Sequence, residues 1–292
     1  MTDTPHVGRS KFRPAIEEAR DAQRIIASPQ TESRSYKLAF QDNEFLLRPD
    51  LRPVRFQLEL LKPELLLDEA KISSTFVFYG SARIPQPEAA QARIDAARTD
   101  AERKVAERLA AKAKYYEEAR KLARIAAQYP VNAAGCRNFV VCSGGGPSIM
   151  EAANRGAADV GAQTIGLNIV LPHEQKPNDY VTPELSFQFH YFALRKMHFT
   201  LRARALAVFP GGFGTFDEFF ELLTLVQTGK MEPIPILLFG KDFWTRVINF
   251  DALAEEGVIS PRDLDLFNWV ETAEEGWQVV ENFYAEAPLR GH

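Results

Sequence analysis

The stretch that most constrains this chain is Pro210-Gly211-Gly212-Phe213-Gly214-Thr215-Phe216-Asp217-Glu218. An apolar run, Ala205-Leu206-Ala207-Val208-Phe209, leads into it, and a helical pattern follows from Glu218 to about Gly229. Strand, glycine turn and helix in that order form an anion-binding unit. Glycines let the backbone turn tightly and bring its N–H groups to the anion. The helix that follows aims unpaired N–H donors and the positive end of its dipole at the same point. Two more turns stand in the same context: Ser143-Gly144-Gly145-Gly146-Pro147 after Phe139-Val140-Val141, and Gly80-Ser81 after Phe76-Val77-Phe78. Three such turns at strand ends describe one nucleotide-sized cleft.

Strand patterns recur at 75–79, 139–142, 164–171, 205–209 and 234–239, with helical patterns between them. That alternation predicts an α/β fold: a doubly wound, Rossmann-like parallel sheet with helices on both faces. Ligands in such sheets bind outside the carboxyl ends of the strands, where all three glycine turns fall. Residues 185–191 alternate with a strand-like period of two, and helical patterns cover 195–198, 241–256 and 272–286. The core domain is expected over 74–292. Residues 1–73 read as an N-terminal helical extension packing on the core or on a partner subunit, with helical spacing over 14–27 and a mixed pattern over 40–62 interrupted by Pro49 and Pro53. From Glu88 to Gln128 there is neither glycine nor proline, which favours one long helix or a helical hairpin. A crossover helix is about half that length, so the part near 88–113 reads as a projecting helical insertion.

Composition narrows the function. A net charge of −4 and a pI near 5.8 provide no global positive field for a nucleic-acid polymer or an anionic membrane. No apolar run reaches the length of a membrane span and no signal-peptide core is visible, so a soluble cytoplasmic protein is expected. Cys136 and Cys142 make neither a disulfide framework nor a four-ligand metal site, and His173, His190 and His198 lack the spacing of a metal pair. No metal is expected. The glycine motifs match neither the G-x-G-x-x-G dinucleotide fingerprint nor the G-x-x-x-x-G-K-[ST] loop. No hydride-transfer cofactor is therefore expected, and the loop suits a monophosphate.

Glu218 admits two readings. Thr215-Phe216-Asp217-Glu218 matches a capping box, in which threonine caps the helix and glutamate reaches back to its N–H. However, Asp217, Glu218 and Glu221 crowd three acids around an anion site. Their charge opposes phosphate unless one of them serves chemistry or binds ribose hydroxyls. Arg195 and Lys196 lie 15 and 14 residues before Pro210, on the helix that feeds the motif's strand. A guanidinium pairs with phosphate bidentately and keeps its charge, which suits an anchor.

These residues resemble a known family. Pro210 to Glu218 matches P-G-G-x-G-T-x-x-E, the signature of the Lonely Guy (LOG) family of cytokinin riboside 5′-monophosphate phosphoribohydrolases, long mislabelled as lysine decarboxylases. The Arg195-Lys196 pair stands at the family's distance from it, and Gly144 to Glu151 resembles the family's second glycine motif. The resemblance spans roughly 74–286 and is to a larger bacterial-type member. It implies hydrolysis of the N-glycosidic bond of a nucleoside 5′-monophosphate to free base and ribose 5-phosphate, without a cofactor. Arg195 and Glu218 match the catalytic pair. Gly212, Gly214 and Thr215 match the phosphate loop. Lys196 and Thr224 match further substrate contacts, and Glu174 matches a glutamate near the nucleoside. With Gly80, Ser81, Gly145, Gly146 and Gly211, these make the expected site. Asp217 departs from the glutamate of plant members. The resemblance also implies a homodimer or larger homo-oligomer with active sites shared between subunits. Against this stand a nucleotide sensor that binds without cleaving, and a pyridoxal phosphate decarboxylase, for which Lys196 is a candidate by proximity alone.

Overall fold

The computed structural model describes residues 12–24, 26–172 and 176–286. They form two compact units that divide between Leu58 and Glu59. In the first, α1 (Ala15–Asp21) runs into a single 3₁₀ turn, Ala22–Arg24, so the helix is shorter than the spacing over 14–27 implies. A second helix, α2 (Asn43–Leu46), is capped by Asp42, whose carboxylate accepts from the N–H groups of Glu44 and Phe45. The long helix α3 (Arg52–Glu69) begins in this unit. Its start sits inside the stretch read as mixed. Pro53 lies in the first helical turn, where a missing N–H costs nothing, so the proline does not break the helix as its presence implied.

The second unit holds a seven-stranded sheet, every pair of neighbours parallel. The strands are β1 (Thr75–Tyr79), β2 (Val140–Ser143), β3 (Thr164–Ile169), β4 (Ser186–Phe189), β5 (Ala203–Val208), β6 (Ile236–Phe239) and β7 (Asn268–Val270). Their spatial order is β4-β3-β2-β1-β5-β6-β7. Winding runs outward from β1 in one direction and from β5 in the other, so the order reverses between β1 and β5. Between the strands lie α4 (Pro87–Asp95), α5 (Asp100–Ala110), α6 (Lys114–Ala126), α7 (Ile149–Ala158), α8 (Phe192–Leu201), α9 (Phe213–Gln227), α10 (Lys241–Val247), α11 (Phe250–Glu255) and α12 (Ala273–Glu286).

The doubly wound expectation holds. Alternate residues of β1 enter two separate cores: Phe76 and Phe78 join Tyr116, Leu122 and Ile149 of α6 and α7, while Val77 and Tyr79 join Leu194, Phe199, Phe219 and Trp244 of α8, α9 and α10. Helices therefore cover both faces of a sheet whose central strands are buried but for a partly exposed Arg204 in β5. On the first face, α6 and α7 approach closely because Ala119, Ala123, Ala152, Ala153 and Ala157 present little bulk. At Gly156 a methyl group would lie 2.1 Å from the Arg120 carbonyl oxygen.

The run from 88 to 128 is three helices, not one. The chain turns at 96–99, where the Thr99 hydroxyl accepts from Glu102 N–H and Glu102 accepts from Arg98 N–H. This reciprocal cap ends α4 and starts α5 without glycine or proline, so the break left no composition signal. The hairpin alternative describes α4 and α5. After it, α6 turns inward and buries Tyr115, Tyr116 and Leu122. β7 was missed because its three residues, one of them exposed at the sheet edge, are too few for a period.

Candidate active site

A cleft of about 1380 Å³ opens at the carboxyl ends of β1 to β5, at the point where strand order reverses. Its walls are the turns that leave those strands: Gly80 and Ser81 after β1, Gly144, Gly146 and Pro147 after β2, Asn168 and Ile169 at the end of β3, and Gly212 to Phe216 after β5. Ser81 N–H donates to the Pro210 carbonyl at 3.1 Å, which ties the β1 turn to the glycine motif.

The motif folds differently from the capping-box reading. Helix α9 begins at Phe213 with Gly212 as its N-cap residue, and no side chain caps it. Thr215 lies inside the first turn with a buried side chain rather than at the cap, so Glu218 is a full turn too far along to close a box. Gly211 is required here because a methyl group on it would lie 2.1 Å from the Thr215 hydroxyl oxygen. At Gly212 and Gly214 a methyl group would meet no atom within 4 Å. The first backbone N–H groups of α9 have no intrahelical acceptor, and the residues that carry them line the cleft, the condition for binding an anion.

Glu218 and Arg195 meet in the cleft wall. The Arg195 guanidinium donates to Glu218 Oε1 at 2.7 Å, and each side chain is only 12% exposed. Burial raises the Glu218 carboxyl, Arg195 opposes the rise, and Asp217 adds to it, leaving the group titrating at about 7. Arg195 Nε is buried without a hydrogen-bond partner among the described residues, while the side chain as a whole lines the cleft. The three acids share two cations. Lys196 bridges Asp217 at 3.1 Å and Glu221 at 2.9 Å, and its own ammonium is stabilised first by Glu221. Two adjacent cations on α8 thus face three acids on α9, and only the Arg195–Glu218 pair opens into the cleft.

The second glycine turn is fastened from behind. Ser143 Oγ donates to Asn154 Oδ1 at 2.7 Å and accepts from Gly145 N–H at 3.0 Å. Asn154 donates to Thr164 Oγ1 and the Ile165 carbonyl. Asn178 Nδ2 donates to Asn154 Oδ1 and the Gly146 carbonyl, while its backbone N–H donates to the Gly145 carbonyl at 2.8 Å. Gly145 has φ of +70°, and a methyl group there would lie 2.3 Å from Asn168 Oδ1. Helix α7 starts at Ile149, one residue later than the Ser148 start expected after the glycine turn, with Ser148 held at φ of +66° by donating to the Ile84 carbonyl.

Of the residues expected at the site, Gly80, Ser81, Gly146, Arg195, Gly212, Gly214, Thr215 and Glu218 line the cleft. Gly145 and Gly211 shape its turns from within the backbone, and Lys196 stands behind Glu218 on Asp217 and Glu221. Thr224 lies on the outer side of α9, its hydroxyl donating to the Phe220 carbonyl, beside a shallow depression with Asp217, Phe220, Glu221 and Leu225. Glu174 and His173 lie outside the described residues. His198 is buried and bonded to α3, a structural place. Sequence reasoning missed Met150, Asn168, Gln188 and Phe192 in the walls. Asn168 and Gln188 are paired in register near the ends of β3 and β4, so the rule that ligands sit at strand ends could have flagged them. Among the described residues no three of His, Cys, Asp and Glu converge to hold a metal ion, and no helix is long and apolar enough to cross a membrane.

A protein-family model described as "Possible lysine decarboxylase" matches residues 150–280. The cytokinin riboside 5′-monophosphate phosphoribohydrolase LOG3 of Arabidopsis thaliana is 28% identical over 152 residues, covering 50% of this chain and 69% of the relative. LOG1 of the same plant is 29% identical over 130 residues, covering 43% and 59%. The probable phosphoribohydrolase LOGL3 of Oryza sativa subsp. japonica is 26% identical over 153 residues, covering 49% and 68%. Among solved structures, the molybdenum cofactor binding protein of Rippkaea orientalis aligns with a TM-score of 0.43 and 15% identity, covering 72% of this chain and 94% of its own. The Moco carrier protein of Chlamydomonas reinhardtii aligns with a TM-score of 0.43 and 16% identity, covering 73% and 99%.

Proposed function

We propose that this chain, a member of the LOG family, hydrolyses the N-glycosidic bond of a nucleoside 5′-monophosphate, AMP or a cytokinin riboside 5′-monophosphate, to free base and ribose 5-phosphate. Relatives named phosphoribohydrolases support a glycosidase-type enzyme at the level of the family. The observation that carries the reading is the buried carboxyl of Glu218, held on Arg195 at 2.7 Å in the cleft wall, beside an uncapped helix N-terminus.

In this reading the 5′-phosphate sits on the open N–H groups at the start of α9, with Gly212, Gly214 and Thr215 around it, and that remote binding energy positions the sugar. Cleavage builds positive charge on the ribose, as in other glycosidic cleavages. Glu218, titrating at about 7, stabilises that charge when ionised and orients or deprotonates the attacking water. Arg195 fixes the carboxylate and lines the cleft beside it with a permanent positive charge. We further propose that the protein works as a homo-oligomer, because Phe213 is 96% exposed at the lip of the cleft and Thr224 faces away from it.

The test offers purified protein AMP, GMP, CMP, UMP and isopentenyl-AMP, with adenosine and ATP as controls, and follows free base by chromatography. Base from a monophosphate and none from adenosine is expected. Nucleotide binding without base release from any of them would make the protein a sensor.

A further inference from the structure

Arg195 works from the second turn of α8, so whatever fixes the start of α8 aims its guanidinium. That helix has no local cap. Its N-cap residue, Tyr191, makes no side-chain cap bond, and its first turn contains no acid. The anion that its N-terminus favours comes from another helix: Glu59 of α3 accepts from His190 N–H at 2.9 Å and from Tyr191 N–H at 3.2 Å. The Tyr191 carbonyl in turn accepts from the backbone N–H of Arg195 at 3.1 Å. Glu59 is thus one peptide unit away from the residue that holds Glu218.

The same residue holds α8 a second time, through its backbone. Pro63, inside α3, has no N–H, so the carbonyl of Glu59 four residues earlier lacks its helical partner. His198 Nε2 lies 3.1 Å from that oxygen and fills the vacancy as donor, three residues beyond Arg195 on α8. At the far end, Arg202 donates to Glu64 and Asp68 of α3, with the shortest contact at 2.7 Å. A proline that would ordinarily weaken a helix here frees a carbonyl for the neighbouring one.

We propose that Glu59 is a positioning residue: its carboxylate caps α8 and its carbonyl, freed by Pro63, anchors His198, so that together they hold the Arg195 guanidinium on Glu218. The inference rests on the reading of Arg195 and Glu218 as the working pair.

The test compares wild type with Glu59→Ala, Glu59→Gln and Arg120→Ala. The last breaks the Arg120–Asp159 ion pair between α6 and α7 and serves as a control for general destabilisation. Each protein is assayed for base release from AMP between about pH 5 and about pH 9, and the Glu218 carboxyl is titrated by carbon NMR, with Glu218→Gln supplying its assignment. Glu59→Ala is expected to lower kcat about tenfold and to move the Glu218 titration upward, because a displaced Arg195 no longer opposes the effect of burial. Glu59→Gln keeps an oxygen acceptor but loses the charge, and is expected to shift both quantities less, in the same direction. Arg120→Ala is expected to lower Tm and shift neither. A Glu218 titration unchanged in Glu59→Ala, or in Glu59→Gln if the alanine variant does not fold, would overturn the proposal. If wild type releases no base from any nucleotide, the proposed function fails while the NMR comparison still decides the role of Glu59.

Discussion

The two glycine turns flanking β1 look alike in sequence and are built in opposite ways. The turn at 144–146 is closed: Ser143, Asn154 and Asn178 satisfy its backbone, and Gly145 leaves room for Asn168 and nothing else. The turn at 211–214 is closed on one side only. Gly211 packs against Thr215, while Gly212 and Gly214 face empty space at an uncapped helix start. A buried polar group left unpaired costs stability, so the closed turn spends its glycines on the fold. The open turn keeps its donors unpaired at the surface, where a ligand can take them.

The sharpest way to break this comparison is through the side chain facing the open turn. Glu218→Gln is expected to bind AMP normally and to cut kcat by about a hundredfold or more, measured as adenine release. Near-normal turnover would leave the open turn a binding device alone. In the closed turn, Gly145→Ala meets both a left-handed φ of +70° and Asn168 Oδ1. It is expected to lose about 2 to 3 kcal/mol of stability in denaturant unfolding. Unchanged stability would show that the loop's hydrogen bonds do not fix it.

A pH comparison separates the two turns further. The folded state raises the Glu218 carboxyl from 4.5 to about 7, so the folded protein binds that proton more tightly than the unfolded chain. The stabilisation is complete below about 4.5 and is lost as pH rises through about 7. Wild type should therefore lose on the order of 2 kcal/mol relative to Glu218→Gln across that window. On the proposed mechanism, in which the carboxylate is the working form, the wild-type kcat/KM should rise with pH through the same range. The smallest effect belongs to Gly212→Ala. It should leave stability within about 0.5 kcal/mol, since the methyl group meets no atom, and raise KM for AMP about tenfold by intruding on the phosphate. Lost stability with normal KM would reverse the assignment of the two turns.

Much of the fold was legible because its signals are local. Apolar runs such as Phe76-Val77-Phe78 and Ile236-Leu237-Leu238 mark central strands through composition alone, and alternation with helices set the parallel order. The break at 96–99 was hidden because Thr99 and Glu102 make it by hydrogen bonding, which composition does not register. The start of α9 was misread for a related reason: Thr215 has the cap pattern, but Gly212 already turns the chain three residues earlier.

For the site, the sequence by itself determined that a glycine turn, a basic pair on the preceding helix and an acid on the following one would stand near the same strand, because neighbouring elements of a βαβ unit must pack together. Only the tertiary structure decided the pairing: Arg195 on Glu218, with Lys196 dividing itself between Asp217 and Glu221. It also decided that Asn168 and Gln188 reach the cleft, and that a glutamate and a proline of α3, over 120 residues upstream, hold the helix of Arg195. Those contacts depend on which strands lie side by side and on the distance at which helices cross them. Side-chain volumes across the whole core set that distance, and no local pattern encodes it.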